Sequence, residues 1–356
     1  MAYLTLNSEK LKFNYQFLSQ TFKTQEIEWA IVTKMLCGVE KYIAEVLKLG
    51  IKEICDARIS NLAIIKEMAP QVQTVYIKPP AKRSIKDIVQ YADASFNTEY
   101  NTIRLLSEEA GRQSKLHKVI IMIELGDLRE GVMGEELMDF YESVFRLPNI
   151  KVTGIGSNLN CLHGVMPSQD KLIQLSLYEQ LIEAKFDRKI PWVTGGTSVV
   201  VPMLLKKQLP AGINHFRIGE TLYFGLDLVN NTVIPGMEGG VLKLYSEIIE
   251  INEKPVVPIG ELEANPSGER FEINEEDYGR TSHRAILDIG LLDVSTDYLI
   301  PKDESFEFVG ASSDMLVIDI GSNEKNYQVG DLIEFDLKYM GALSLLSSNY
   351  IEKRVV

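Results

Sequence analysis

The 356-residue sequence has few of the residues that build covalent or metal frameworks. It contains three cysteines and four histidines, with no CxxC, HxxxH or HExxH spacing. We therefore expect neither a disulfide scaffold nor a His/Cys metal site. No stretch approaches about 18 uncharged apolar residues, and charge begins at Glu9. The sequence thus predicts no transmembrane helix and no signal peptide, and we expect a cytoplasmic protein.

Positive charge is scarce as well. Lysine and arginine together number 37, against 50 aspartate and glutamate residues, which gives a net charge of −13. An acidic chain is a poor candidate for nonspecific binding to nucleic acid or to an anionic membrane. With 45% hydrophobic residues, the chain is long enough for about two domains. The functional classes that remain are an enzyme and a protein that binds a small molecule.

Eight short β-type segments recur over the first two thirds of the chain, with amphipathic stretches between them. They are WAIVT (29–33), IKEIC (51–55), TVYIK (74–78), ADASF (92–96), VIIMIEL (119–125), VTGIG (152–156), WVTGG (192–196) and NHFRIG (214–219). Eight β/α units within about 200 residues are typical of a (β/α)8 barrel, the TIM barrel. A doubly wound sheet is the alternative, but no GxGxxG motif follows the first strand.

The pattern changes after about residue 232. Segments such as VLKLYSEIIEIN (241–252) and MLVIDIG (315–321) alternate or run apolar between turn residues, which favours β-strands. We therefore expect an α/β barrel domain over residues 1–232 and an all-β domain over residues 233–356. The first strand of the chain is assigned to the barrel, with the β domain as its alternative.

Functional side chains of such a barrel sit at the carboxyl ends of its strands. Lys34 comes directly after WAIVT, where partial desolvation would lower its pKa and favour a Schiff base. A surface lysine at a strand exit is the alternative. Arg129, in ELGDLREGVM (124–133), could bind a carboxylate with both arms of its guanidinium, or pair with a nearby aspartate.

Three further loops follow the last predicted strands. GIGSNLNC (154–161) supplies small residues, an amide at Asn158 and a thiol at Cys161, which could equally be a structural cysteine. TGGTS (194–198) offers backbone amides and two hydroxyls that suit a phosphate, although it also fits a helix N-cap. RIGE (217–220) follows the eighth segment, and barrel phosphate sites often lie after strands seven and eight. Together with Lys34, these loops predict a site for pyridoxal 5′-phosphate (PLP).

Several of these motifs occur together and in order in one family. The matching segments include VTKMLCG (32–38), ICDARISNL (54–62), ELGDLREGV (124–132), GIGSNLNCLHGVMP (154–167), TGGTS (194–198), NHFRIGETLYFG (214–225), AILDIGLLDV (285–294) and GASSDMLVID (310–319). The sequence resembles the alanine-racemase-like, fold-type III PLP enzymes, and within them the ornithine racemase group of amino-acid racemases. The resemblance extends from about residue 3 to the C-terminus.

The resemblance implies a role for each matching residue. Lys34 would bind PLP covalently and act as one acid/base, and Arg217 would face the pyridine nitrogen. Because arginine stays protonated and has no acceptor, it would leave that nitrogen unprotonated and disfavour side reactions. Asn158 takes the place of a histidine that stacks on the ring in alanine racemases. The remaining cofactor contacts would come from Arg129, Thr197, Ser198 and the backbone of Gly219.

The sequence departs from the family at the second acid/base. Classical alanine racemases carry a tyrosine there, supplied across a dimer interface, and the aligned residue here is Leu291. Leu292, Met315 and His163 also differ from the ornithine racemase pattern. A racemase needs a proton donor on each face of a planar carbanion. The candidates for the second face are Cys161, Ser313, Asp314 and His163.

The resemblance implies a PLP-dependent racemase that interconverts L- and D-amino acids by exchanging the Cα proton. Ornithine or another basic amino acid is the expected substrate, and a homodimer is expected in which the β domain of one chain caps the barrel mouth of the other. Two alternatives stay open. One is another PLP reaction on this fold, such as a lyase or decarboxylase, although no HxC metal motif is present. The other is PLP binding without catalysis, although such proteins lack the β domain.

Overall fold

Eight parallel strands close into a barrel in the order of the chain, after a first strand β1 (Tyr3–Leu6) that lies outside it. The barrel strands are β2 (Glu28–Val32), β3 (Glu53–Asp56), β4 (Gln73–Tyr76), β5 (Ala94–Asn97), β6 (His117–Met122), β7 (Ile150–Gly156), β8 (Trp192–Thr194) and β9 (His215–Ile218). Each overlaps one predicted segment, so the predicted TIM barrel is confirmed. The computed structural model describes residues 2–264, 268 and 270–356.

The helices that accompany the barrel strands are α1 (Ser8–Thr24), α2 (Glu40–Lys48), α3 (Ile59–Met68), α4 (Ile85–Tyr91), α5 (Tyr100–Arg112), α6 (Leu137–Phe145), α7 (Gln169–Phe186), α8 (Val201–Leu205) and α9 (Glu220–Phe224). Seven of these helices lie between successive barrel strands, while α1 precedes β2 and α9 follows β9. A short hairpin, β10 (Leu226–Asp227) and β11 (Thr232–Val233), follows α9. In the described part of the chain, no helix combines the length and the apolar character that a membrane span requires.

The barrel strands are buried on both faces. One buried cluster takes its members from five strands, namely Ala30, Val32, Cys55, Val75, Ala94, Phe96, Ile120 and Met122. Neighbouring strand residues such as Ile31, Ile54 and Ile121 are also fully buried. Burial of both strand faces explains why the sequence shows apolar runs here rather than strict alternation.

The strands of the remaining residues are β12 (Leu242–Pro255), β13 (Thr281–Leu287), β14 (Leu299–Pro301), β15 (Glu307–Ala311), β16 (Leu316–Asp319), β17 (Leu332–Leu337) and β18 (Glu352–Val355). They form a mixed sheet, which is antiparallel along the order β14–β17–β12–β13–β16–β15 and parallel between β1 and β18. Strand β1 joins this sheet between β12 and β18, with Tyr3 opposite both Tyr245 and Glu352. The predicted all-β domain also contains a helix, α10 (Tyr339–Ser347), whose Ala342, Leu345 and Leu346 are buried.

The chain divides into two compact units at places that differ from the expected 232/233 boundary. One unit is Asn7–Val241, and the other is the segment up to Leu6 together with Leu242–Val356. Residues 233–241 stay with the barrel because Ile234 donates its amide to Gly225 at 2.8 Å. The side chain of Asn14 in α1 also exchanges two hydrogen bonds with the backbone of Glu238, at 2.7 and 2.9 Å. The link from Asn14 to Glu238 joins residues 224 positions apart, so composition did not indicate it.

Candidate active site

The ends of the barrel strands carry the expected cofactor residues of this chain. Those at or just beyond a strand end are Lys34, Arg129, Asn158, Thr197, Ser198, Arg217 and Gly219. Because the strands of a closed parallel barrel end on the same rim, these residues lie around one opening. The local structure of each one decides what it can do there.

Lys34 begins a 3-10 turn, Lys34–Leu36, directly after β2. The preceding Thr33 donates its hydroxyl to the Asp56 carboxylate at 2.8 Å and its amide to the Cys55 carbonyl at 2.9 Å. The Lys34 residue is exposed, and its amine makes no hydrogen bond or ion pair with a described residue. The expected desolvation is therefore absent in the single chain, because the turn carries the lysine past the strand end. The amine is free to meet a ligand.

A buried carboxylate supports this turn. Asp56 is fully buried and, besides the Thr33 hydroxyl, accepts the Arg58 amide at 2.8 Å and the Asn61 side-chain amide at 3.1 Å. Burial raises the pKa of Asp56, against the lowering effect of these hydrogen bonds. Through these hydrogen bonds the Asp56 carboxylate holds Thr33, the residue directly before Lys34, in place.

Arg217 is the central charge of the site and is 2% exposed. Its guanidinium donates to Thr194 Oγ1 at 3.0 Å, Asn158 Oδ1 at 2.7 Å and the Ser157 carbonyl at 2.8 Å. It also lies over the Phe96 ring, 5.0 Å from the centroid. Burial lowers its pKa to about 10, which leaves it charged near neutral pH. Two of its five N–H donors have no partner among the described residues, so they can bind a ligand.

Asn158 is tied into a network that the sequence reasoning did not foresee. Its amide nitrogen donates to Glu130 Oε1 at 2.5 Å while its oxygen accepts from Arg217. Glu130 also binds both Nε and Nη2 of Arg129. The amide is thus held in one orientation between a cation and an anion. Sequence reasoning missed Glu130, which directly follows Arg129. An acidic residue next to that arginine was the signal that could have indicated the network.

A second network, also missed, lies on the other side of Arg217. Thr194 Oγ1 contacts His215 Nδ1 at 3.0 Å, and His215 Nε2 contacts Glu53 Oε1 at 3.1 Å. The signal was present in the strands themselves. Residues two apart on a strand lie on the same face, as His215 and Arg217 do on β9 and Glu53 and Cys55 do on β3, so polar and apolar residues share the barrel interior.

The loops after β8 and β9 are joined by Ser198. Its hydroxyl oxygen accepts the amides of Gly219 at 3.3 Å and Thr221 at 3.1 Å. The amides of Gly196 and Thr197 have no hydrogen-bond acceptor among the described residues. Thr197 stands at the N-cap position of the next turn, but its side chain makes no capping hydrogen bond. Its hydroxyl is therefore available to bind an anion. In a simple N-cap the hydroxyl would instead accept a backbone amide of the turn.

Cys161 and His163, two candidates for the second acid/base, lie in one loop after β7. The Asp127 carboxylate accepts four amides of this loop, from Cys161 at 3.0 Å, Leu162 at 2.8 Å, His163 at 3.2 Å and Val165 at 3.1 Å. His163 Nδ1 also lies 2.9 Å from the Asp127 carbonyl. A carbonyl can only accept, so this nitrogen carries the proton and Nε2 is the basic atom.

The other two candidates, Ser313 and Asp314, belong to the β unit. Ser313 donates its hydroxyl to the Asp314 carboxylate at 2.6 Å. The backbone of their loop binds that of Leu291 and Leu292, through the carbonyls of residues 312 and 313 at 2.9 and 3.0 Å. Leu291 is 41% exposed and Leu292 is 66% exposed. Three of the departures from the family, Leu291, Leu292 and Met315, are thus exposed and belong to two neighbouring loops of the β unit.

Comparison with known proteins places this chain in a family. Residues 6–227 match the family model described as alanine racemase, N-terminal domain. An ornithine racemase of Acetoanaerobium sticklandii is 33% identical over 354 residues, which are 99% of each chain. A lysine racemase of Thermotoga maritima is 28% identical over 350 residues, which are 98% of this chain and 97% of the relative. The chain therefore belongs to the alanine racemase family, as its motifs predicted.

A solved structure shows the same fold. The alanine racemase of Bartonella henselae with covalently bound pyridoxal phosphate has a TM-score of 0.74, with 16% identity. The match covers 100% of this chain and 99% of that one. At this identity the likeness concerns the fold alone, and it confirms the predicted barrel with an appended β sheet.

Proposed function

We propose that the protein is a PLP-dependent amino-acid racemase acting on ornithine, lysine or another basic amino acid. The observation that carries this proposal is the common rim that holds a free lysine, a buried arginine with spare donors and an unfilled set of loop amides. The expected racemase class agrees with the names of both curated relatives. Ornithine and lysine differ by one methylene group, so the two names support a basic side chain rather than one amino acid.

The residues of the rim fit PLP. The free amides of Gly196 and Thr197, with the neighbouring hydroxyls, suit the phosphate. The spare donors of Arg217 suit the ring nitrogen, and Lys34 suits the aldehyde carbon. Ser157 Oγ is buried and has no hydrogen-bond partner among the described residues. The site therefore also contains a buried polar atom that a bound ligand could satisfy.

PLP, when bound, supplies an electron sink that makes the Cα proton of an amino acid acidic. The chain's own residues would move that proton. Lys34 Nζ would remove or deliver it on one face. Arg217 would stay protonated and keep a positive charge beside the ring, and the loops after β8 and β9 would hold the phosphate end in place.

For the opposite face we propose Cys161 as the proton donor and acceptor. It follows β7 whereas Lys34 follows β2, and these strands are not neighbours in the barrel. Desolvation raises the pKa of the Cys161 thiol, and the charges of Arg129 and Arg217 oppose that rise. The thiol is therefore protonated at neutral pH and ready to donate. His163, Ser313 and Asp314 stay as the alternatives that mutation can separate.

We also propose a cytoplasmic homodimer with its active sites at the interface. The exposed apolar surface of Leu291, Leu292 and Met315 supports an interface on the β unit. None of Cys37, Cys55 and Cys161 forms a disulfide bond, which suits a reducing compartment.

The decisive experiment compares the wild type with Lys34→Ala on a panel of single-enantiomer amino acids, with added PLP. We expect the wild type to convert L-ornithine or L-lysine into the racemate and to show the absorbance of a PLP–lysine linkage. Lys34→Ala should lose that absorbance and at least about 100-fold in rate, because the attachment point and one acid/base disappear together.

Lys23→Ala, at an exposed position in the last turn of α1, is the matched control and should behave as the wild type. A wild-type protein that binds PLP but leaves every amino acid optically unchanged would refute the racemase. Release of carbon dioxide or cleavage of the substrate would favour a decarboxylase or lyase instead.

A further inference from the structure

The structure assigns Glu53 and His215 as positioning residues for Arg217, acting through Thr194. This inference rests on the proposed function, because it concerns how Arg217 meets the ring nitrogen of PLP. Both residues begin their strands, β3 and β9, and so lie at the opposite end of the barrel interior from the rim. They would not contact substrate or cofactor themselves.

Arg217 needs such support because no described residue forms an ion pair with its guanidinium. All three of its hydrogen bonds go to neutral oxygens, those of Thr194, Asn158 and Ser157. A buried cation without a partner is costly, since desolvation removes the water that would stabilise it. Negative charge must therefore reach the guanidinium through intermediate groups.

One such path runs down the barrel interior. The distances are 3.0 Å from Arg217 Nε to Thr194 Oγ1, 3.0 Å from Thr194 Oγ1 to His215 Nδ1, and 3.1 Å from His215 Nε2 to Glu53 Oε1. Every residue on it is buried, with Thr194 0% exposed and His215 2% exposed. Water is thus excluded from the path, and each hydrogen bond acts in a medium of low dielectric.

The donors on this path can all point the same way. Arg217 Nε–H can only donate, so Thr194 Oγ1 accepts that bond and its own proton is free for His215 Nδ1. The proton of the imidazole then sits on Nε2 and is donated to the Glu53 carboxylate. In this arrangement a neutral His215 satisfies both neighbours, and each hydrogen bond polarises the next toward the anion.

The lower end of the path is itself anchored. Gln73 donates its side-chain amide to Glu53 Oε2 at 2.7 Å, and Lys118 donates to the Gln73 oxygen at 3.0 Å. The imidazole of His215 stacks on the Trp192 ring with 4.7 Å between centroids. These contacts restrain both the Glu53 carboxylate and the His215 imidazole. Through its bond to His215, the Thr194 hydroxyl is therefore held in one orientation, and with it the Arg217 Nε–H.

The test measures how well Arg217 recognises the ring nitrogen, without turnover. Apo-protein is titrated with PLP and with 1-deaza-PLP, in which carbon replaces the ring nitrogen but the phosphate is unchanged. We expect the wild type to bind PLP at least about tenfold more tightly, because the analogue leaves a charged donor unpaired. The ratio of the two dissociation constants isolates the contact between Arg217 and the ring nitrogen from phosphate binding.

Thr194→Val keeps the shape but removes the hydroxyl link, and Glu53→Gln keeps the shape but removes the charge. Both should lower the ratio of the dissociation constant of 1-deaza-PLP to that of PLP at least about fivefold. Thr194→Ser keeps the hydroxyl and should restore most of the wild-type ratio. Ser95→Ala is the matched control, because it deletes another buried hydroxyl bonded to a histidine, His117 at 2.8 Å, that does not touch Arg217.

Unchanged ratios in Thr194→Val and Glu53→Gln would overturn the inference, as would an equal loss in Ser95→Ala. Should Thr194→Val fail to fold, Glu53→Gln decides alone. A wild type that racemises amino acids while these variants keep its ratio refutes only the positioning path. A wild type that binds no PLP refutes the proposed function itself.

Discussion

Single side chains on the rim differ in how free they are. Arg129 is engaged by Glu130, and Asn158 is fixed between two charges, whereas the Lys34 amine makes no hydrogen bond or ion pair with a described residue and only its charge acts on Glu220. The Cys161 thiol contacts the Leu159 carbonyl at 3.3 Å, a weak bond that a ligand could replace. The groups proposed to move protons are therefore the ones that the fold restrains least.

The role of Cys161 can be tested by separating removal of the Cα proton from its return. Cys161→Ala should lower the racemisation rate about 100-fold or more, because one face loses its acid. Exchange of the Cα proton with deuterium from solvent should persist for the enantiomer that Lys34 deprotonates. Proton NMR in deuterium oxide, with chiral chromatography of the same samples, measures both.

Leu162→Ala, at an exposed position in the same loop, is the control and should keep the wild-type rates. If His163→Ala loses racemisation but keeps deuterium exchange in one enantiomer, and Cys161→Ala does not, the histidine is the second acid/base. If neither variant gives it, Ser313 and Asp314 become the candidates.

Among the structural elements, the loop after β7 depends most on one side chain. Desolvation would raise the pKa of Asp127, but the amides of Leu162, Val165, Cys161 and His163 outweigh it and lower that pKa. The carboxylate is therefore charged at neutral pH and serves as the anchor of the loop.

Asp127→Ala should destabilise the protein by roughly 2–4 kcal/mol at pH 7, because four amides lose a charged acceptor. The lowered folded-state pKa means that this stabilisation is present above the unfolded value of about 3.9 and is lost as pH falls through the folded value. The difference in the free energy of unfolding between Asp127→Ala and the wild type should thus be smaller at pH 3 than at pH 7. Urea unfolding at both pH values measures it. Glu67→Ala, an exposed helical position, should change stability by less than about 0.5 kcal/mol.

The strands and loops were largely predictable from the sequence, and the side-chain networks were not. Apolar runs such as VIIMIEL stand out because barrel strands are buried on both faces. The path from Glu53 to Arg217 joins residues more than 160 positions apart through contacts inside a closed barrel. Periodicity carries no information about such contacts. For Lys34 the sequence left two alternatives, a partly desolvated lysine and a surface lysine at a strand exit. The 3-10 turn that begins at Lys34 carries it beyond the strand end, where it is exposed.

For the whole molecule, the proposed dimer can be tested through the exposed apolar surface of the β unit. Leu291→Asp combined with Leu292→Asp should shift the protein toward a monomer, because two charges would have to be desolvated at the interface. Light scattering coupled to size-exclusion chromatography measures the mass directly. Ile259→Asp is the matched control, since Ile259 lies in the same unit and is 94% exposed. A double variant with an unchanged dimer mass would place the interface elsewhere.

The position of β1 between β12 and β18 sets the order in which the chain can fold during its synthesis. The segment Tyr3–Leu6 leaves the ribosome before both of its partner segments, Leu242–Tyr245 and Glu352–Val355. At translation rates of about 5–20 residues per second, it waits roughly 10 to 70 seconds for these strands. Leu4 and Leu6 are fully buried in the finished sheet and do not reach that burial before then. The barrel can close first, and the β unit is finished only when the C-terminal strand arrives.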